Sequence, residues 1–326
     1  MKVSPSENAA PAAGPFRWWH LIAGRRLLLT LGRLALLYVL VVALVYWFQD
    51  GLLYHPTRIS PETELANVAS GRYQPFYGQP GTPEFRGWLQ KYENPMPGGE
   101  DVAKGTVVVA HGNAGLAIWS HHYGGMLEPA GYNVMLYEYP GYASRDGRPS
   151  EATIVSDLRE TVRRLDAEGL GPVFLLGESL GCGVVASAAA DPTLPVAGIF
   201  LGTPWDTLPD LAASRFWFLP ARYLVRDQYD SVGNLAGFDG PVFIVLAAND
   251  RVIPPRFGQR LYDSLPGEKR METFNAGHNN WFGQTDSRWW REVMAFLSGE
   301  GQTQVTMEAA QPASSEKASR TKIPVR

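Results

Sequence analysis

Apolar and polar positions follow two different regimes along this chain. Near the N-terminus lies one continuous apolar stretch, residues 27–48, opening at Leu27 and closing at Phe48, with no charge at all from Leu34 onward. As a helix, 22 residues are enough to cross a hydrocarbon core of about 30 Å. Gly32 and Arg33 interrupt its first turns, which predicts that Arg33 reaches back to the headgroup level. Further on, short apolar runs alternate with longer amphipathic ones. Residues 106–110, 133–137, 172–176, 196–201 and 241–246 read as buried strands, 270–274 as a weaker last strand and 85–92 as an early one. Residues 119–129, 151–167, 255–265 and 287–297 read as helices; in 151–167, Ile154, Leu158, Val162 and Leu165 recur at helical spacing. This alternation specifies an α/β fold, a mostly parallel sheet with helices on both faces.

The flanks of the apolar stretch bear on its fate. It ends in Tyr46-Trp47-Phe48, an aromatic belt and not a small-x-small cleavage site, so an uncleaved signal anchor is favoured over a removed signal peptide. Lys2, Arg17, Arg25, Arg26 and Arg33 lie on its N-terminal side, against Asp50, Glu62, Glu64 and a single Arg58 beyond it. The positive-inside rule then keeps the N-terminus in the cytoplasm and exports the rest, to the periplasm if the source is bacterial. The expected organisation is a disordered N-terminus (1–26), a span (27–48), a large α/β domain (49–298) with an insertion at 204–239, and a disordered polar tail (299–326).

Composition narrows the function classes. A chain of 326 residues with 45% hydrophobic and 19% charged residues fits a folded enzyme, and a net charge of −3 gives no reason to expect a nucleic-acid partner. Cys182 is the one cysteine, so no intramolecular disulfide forms.

The chemistry centres on Gly177-Glu178-Ser179-Leu180-Gly181, which follows an apolar run and precedes a stretch of small residues. Strand, tight turn and helix in that order place a serine hydroxyl in a strained elbow beside a helix N-terminus, with glycines where a β-carbon would collide. A serine nucleophile needs a base and an orienting acid, following it in the order acid, histidine in this kind of fold. Of six histidines only His278 lies after Ser179, in a polar loop past the last strand. Asp250, just beyond strand 241–246, is the favoured acid, and could also cap the helix after it. Asp206 is the fallback. The oxyanion donors expected are the N–H of Leu180 and the N–H of Asn113 in the loop His111-Gly112-Asn113-Ala114-Gly115, with His111 a hydrogen-bonding prop for that loop. The spacing of His111, His121 and His122 fits no common zinc pattern, the glycine-rich turn lacks a P-loop lysine, and no metal or cofactor is expected. Cys182 reads as a packing residue. In the insertion, Trp205, Phe216 and Trp217 form either an acyl-binding wall or small cap, or ordinary core packing.

Taken with Leu53-Tyr54-His55-Pro56, Glu138-Tyr139-Pro140-Gly141-Tyr142, Gly147-Arg148-Pro149-Ser150-Glu151, Thr203-Pro204-Trp205, Asn249-Asp250-Arg251-Val252-Ile253-Pro254 and Gly277-His278-Asn279, these motifs resemble the α/β-hydrolase superfamily. The chain is similar to its single-pass, membrane-anchored serine hydrolases. Cys182 departs from that pattern, where relatives often have Gly, and the C-terminal tail lies outside it. The resemblance implies a Ser179–His278–Asp250 triad cleaving ester or thioester bonds of acyl substrates near a bilayer. It leaves the substrate and the oligomeric state open. The alternative is a non-catalytic binding or scaffold protein on the same fold. A dehalogenase-type enzyme would want a carboxylate at position 179.

Overall fold

In a computed structural model the described residues are 18–67, 71–78, 84–94 and 102–300, so the expectations for 1–17 and 301–326 lie outside them. The chain divides into two units, Met1–Gln49 and Asp50–Arg326. In the first, one helix, α1 (Trp18–Phe48), contains the 25-residue apolar segment Gly24–Phe48. It starts earlier than the hydropathy pattern predicts, because residues 18–26 include no proline and a single glycine does not end a helix.

The second unit begins with short helices α2 (Asp50–Leu53) and α3 (Pro61–Asn67), then strands β1 (Gln74–Tyr77), β2 (Phe85–Gln90) and β3 (Thr106–Ala110). Helix α4 (His122–Leu127) is flanked by 3₁₀ turns, Ala117–His121 and Glu128–Ala130. The single helix expected over 119–129 is broken because Gly124, Gly125 and Pro129 disfavour a continuous α-helix. Then follow β4 (Asn133–Tyr137), α5 (Glu151–Ala167), β5 (Val173–Glu178), α6 (Leu180–Ala189) and β6 (Val196–Gly202). The insertion holds α7 (Leu208–Arg215), α8 (Ala221–Leu224) and α9 (Ser231–Leu235). The chain continues through β7 (Val242–Ala247), α10 (Pro255–Ser264), β8 (Lys269–Phe274) and α11 (Ser287–Leu297).

The eight strands form one sheet in the order β1-β2-β4-β3-β5-β6-β7-β8. From β4 to β8 all neighbours are parallel, and β2 runs antiparallel to β4 and β1. Side chains alternate across it, so each strand feeds two cores. On one face Val108, Leu175, Ile199 and Ile244 meet Ile154, Leu158 and Val162 of α5 and the small residues of α6. On the other, Val109, Phe174, Phe200 and Phe243 meet Tyr123 of α4 and Trp290, Val293 and Leu297 of α11. Helix α5 starts cleanly because Ser150 Oγ accepts from Thr153 N–H (3.2 Å) while Thr153 Oγ1 accepts from Ser150 N–H (3.0 Å). The parallel strands therefore share one C-terminal edge, and the loops leaving that edge carry the site.

Candidate active site

Ser179 stands in the turn between β5 and α6 with φ 52° and ψ −114°, a conformation that costs an L-residue strain. The turn closes because two neighbours lack a side chain. A β-carbon on Gly181 would lie 2.0 Å from the Ala110 carbonyl oxygen, and one on Gly177 would lie 2.5 Å from Gly181. Ser179 N–H is tied to the Gly202 carbonyl at 3.0 Å, which fixes the elbow to β6.

Two distant loops converge on this hydroxyl. His278 follows β8, and its Nε2 lies 3.0 Å from Ser179 Oγ; its Nδ1 lies 2.6 Å from Asp250 Oδ2. Asp250 follows β7, is almost completely buried, and its Oδ1 accepts N–H bonds from Val252 and Ile253, each at 2.8 Å. A carboxylate held from one side by two amides keeps the imidazole ring in one orientation, with Nε2 free to accept from the serine hydroxyl. Asp250 does not cap α10, whose first turn opens from Pro254. Asp206, the fallback acid, is turned elsewhere: its Oδ2 accepts from Arg260 Nε at 2.6 Å and its Oδ1 from Thr207 N–H.

The loop after β3 lies against the elbow, a β-carbon on Gly112 falling 3.7 Å from that of Ser179. Asn113 is fixed at three points: its carbonyl accepts from His55 N–H (3.2 Å) and the Tyr142 hydroxyl (2.8 Å), and its Nδ2 donates to the Leu53 carbonyl (3.2 Å). Its own N–H and that of Leu180 have no protein partner among the described residues. His111 is buried, with Nδ1 2.8 Å from the Gly112 carbonyl and Nε2 2.9 Å from Glu138 Oε1. Its ring stacks on Tyr139. Glu138, wholly buried, also accepts the Ala117 N–H at 2.9 Å and so clamps both ends of the loop. That clamp was not assigned from the residues alone; the available signal was an acid directly after the apolar run Val134-Met135-Leu136-Tyr137.

Glu178 precedes the nucleophile, and burial pushes its carboxyl above the usual range, with His278 and His111 pulling the other way. The buried Tyr123 hydroxyl faces it but falls short of hydrogen-bond geometry with any group. Cys182 is buried, its Sγ 3.2 Å from the Gly177 carbonyl and 3.1 Å from that of Gly202, and burial raises its thiol well above the ordinary value. It is a packing residue under the elbow. Among the described residues no group of three or more His, Cys, Asp or Glu is placed to hold a metal.

The aromatic insertion splits. Trp205 is 3% exposed, packs against Gly183 and Tyr229, and donates its indole N–H to the Tyr229 carbonyl at 3.1 Å. It belongs to the core, because its N–H has an internal partner and its ring fills the space beside a glycine. Phe216 and Trp217 are exposed.

Comparison with known proteins agrees with this architecture. A family model described as serine aminopeptidase, S33, matches residues 101–229, which include Ser179 but stop short of Asp250 and His278. An uncharacterised protein of Mycobacterium tuberculosis is 28% identical over 244 residues, 74% of this chain and 84% of its own length. The lysophosphatidylserine lipase ABHD12 of Danio rerio is 28% identical over 184 residues, 51% of this chain and 48% of that protein, so the match spans about half of the lipase. Among solved structures, an esterase of Pyrococcus furiosus superposes with a TM-score of 0.57 at 17% identity, over 76% of this chain and 97% of the esterase. Sheet order, elbow and relatives together give this chain an α/β-hydrolase fold, and its sequence is similar to that of ABHD12.

Proposed function

We propose that this protein is a membrane-anchored serine hydrolase that cleaves acyl ester or thioester bonds of lipid-like substrates through an acyl-enzyme. The observation that carries the reading is His278 lying between the Ser179 hydroxyl and the Asp250 carboxylate, at 3.0 and 2.6 Å. In the reaction, Ser179 Oγ attacks the acyl carbonyl while His278 Nε2 takes its proton. Asp250 stabilises the resulting imidazolium through Nδ1. The carbonyl oxygen, now an oxyanion, accepts from the N–H groups of Leu180 and Asn113, which are held in place beforehand and lack other partners. His278 passes the proton to the leaving alcohol or thiol, and the ester to Ser179 remains. Water, deprotonated by His278, then releases the free acid and restores the serine.

The apolar helix α1 supports the anchoring part of the reading, with the N-terminus cytoplasmic and the hydrolase domain on the extracytoplasmic side. Lysophosphatidylserine, named in the ABHD12 relatives, is the first lipid ester to offer it.

The test is labelling of the full chain with a fluorophosphonate probe, followed by peptide mapping. Label on Ser179 that vanishes in Ser179→Ala, with hydrolysis reduced at least ~10⁴-fold, is the expected result. A folded wild-type protein that takes up no label and turns over no ester would instead be the scaffold alternative.

A further inference from the structure

The aromatic side chains at 216–223 of the insertion lie at the surface and not in the core. Trp217 is 83% exposed and Tyr223 86%, with Phe216 and Phe218 also turned outward, while Leu219 and Ala221 beneath them are buried. These four, with Val252, make up five of the nine large apolar side chains exposed among the described residues 50–300. Soluble surfaces rarely carry so concentrated a patch without something that covers it.

Its two ends are tied to places that identify the cover. At one end Arg226 pairs with Asp50 at 2.5 Å, and Tyr54 donates to Asp227 Oδ2 at 2.6 Å. Asp50 follows Phe48, the last residue of the apolar helix, by two positions, a covalent reach of at most ~7 Å. The patch thus begins beside the first residue of the domain, two positions after the apolar helix in sequence. At the other end Arg215 Nη2 donates to the carbonyls of Arg251 and Val252, in the loop that carries Asp250. The patch therefore runs from the domain's first residue to the rim of the site. Arg222 and Arg226 are paired with Asp210 and Asp50 at 2.7 and 2.5 Å, so the patch presents apolar surface flanked by neutralised charge, and the arginine stems add to its apolar area.

From this placement we infer that residues 216–223, with Val252, are a second membrane contact: a lipid-bilayer docking face that holds the Ser179 site against the surface from which lipid esters are drawn. The inference rests on the membrane-anchored reading above. Trp and Tyr suit the interface, having an apolar ring and a polar edge.

The experiment uses the full chain in phosphatidylcholine–phosphatidylglycerol vesicles, with an environment-sensitive fluorophore on one introduced cysteine at a time. The native Cys182 is buried and stays unlabelled. Trp217→Cys and Tyr223→Cys report on the patch, Val41→Cys on the span, and Glu168→Cys on the far edge of the sheet. Strong quenching by nitroxide lipids at 41, 217 and 223 but not at 168 is the expected result. Quenching at 41 alone overturns the docking face and leaves the anchor standing; quenching at none of them removes both. Quenching at 217 that needs a bound acyl substrate, or cross-linking of 217 between two copies, overturns it in favour of a cap or a dimer face. In parallel, Phe218→Ser with Tyr223→Ser is expected to keep its rate on a soluble short-chain ester and lose about tenfold on lysophospholipid in vesicles. Equal rates on the vesicle substrate would overturn the inference.

Discussion

Asp250 and Asp206 both follow a buried parallel strand, and sequence spacing leaves either able to serve His278. Their surroundings separate them. Asp250 is oriented by two amides toward the imidazole, whereas Asp206 is engaged by Arg260 on the other side of its loop. Asp250→Asn should therefore lower kcat by roughly 10³- to 10⁴-fold, by favouring the wrong imidazole tautomer, with KM little changed. Asp206→Asn should leave kcat within about threefold and lower the unfolding midpoint instead, because it weakens a pair to Arg260 and leaves the kinetic machinery alone. Steady-state kinetics of the two variants, side by side, decides. Glu178 carries a different prediction. Its folded carboxyl holds its proton to higher pH than the unfolded one, since burial disfavours the anion. The folded state then binds more protons across the window between the two values. Its contribution to stability is complete below the unfolded value and is lost as pH rises through the folded one. Glu178→Gln cannot lose a proton, so the difference in Tm, variant minus wild type, should be more positive at about pH 8 than at about pH 4. A difference that does not move with pH would show that the carboxyl is ionised without penalty.

The elbow between β5 and α6 was legible because its constraints are local. An apolar strand, two glycines and a run of small residues allow one geometry, and Gly181→Ala shows how tight it is. Its β-carbon would fall 2.0 Å from backbone, where no side chain can move aside, so β3 and α6 must separate. A loss of about 3–5 kcal/mol, read as a shifted denaturation midpoint or failure to accumulate folded protein, is expected. The buried strands were legible for the same kind of reason, each being an apolar run of four or more residues. Strand β1 was not, because only Phe76 of its four residues turns inward and no alternation can be read. Helices α7, α8 and α9 escaped because each is eight residues or shorter and packs by one to three side chains. The site divides along the same line. Ser179, Asp250 and His278 announce themselves by following strands in a fixed order. The roles of Glu138 and Trp205 depend on partners far along the chain: Glu138 reaches Ala117, and Trp205 donates to Tyr229. Nothing in the local pattern separates an aromatic that fills a core from one that faces outward, which is why Trp205 and Trp217 looked alike.

A long apolar helix ahead of an α/β domain raises the question of which side of a membrane the domain occupies. Basic residues decide it, because Lys and Arg near a span resist translocation far more than Asp or Glu promote it. Arg25, Arg26 and Arg33 lie within the first part of α1 or just before its uncharged core, and the residues after Phe48 present only Arg58 before residue 72. That asymmetry should export residues 49–326. A fusion to alkaline phosphatase, which needs an oxidising compartment to form its disulfides, should be active when placed after residue 300. A green fluorescent reporter at the same point should stay dark on the same export route. Arg25→Glu with Arg26→Glu should shift part of the population to the opposite orientation, since it removes two of the three basic residues nearest the span. The absence of disulfides in the domain itself, with its single buried Cys182, lets it fold in either compartment. An inverted variant should therefore still label with fluorophosphonate, now inside the cell, and phosphatase activity would fall as internal labelling rises. Phosphatase activity absent in the wild type, with bright green fluorescence, would place the hydrolase domain on the cytoplasmic side and refute the orientation.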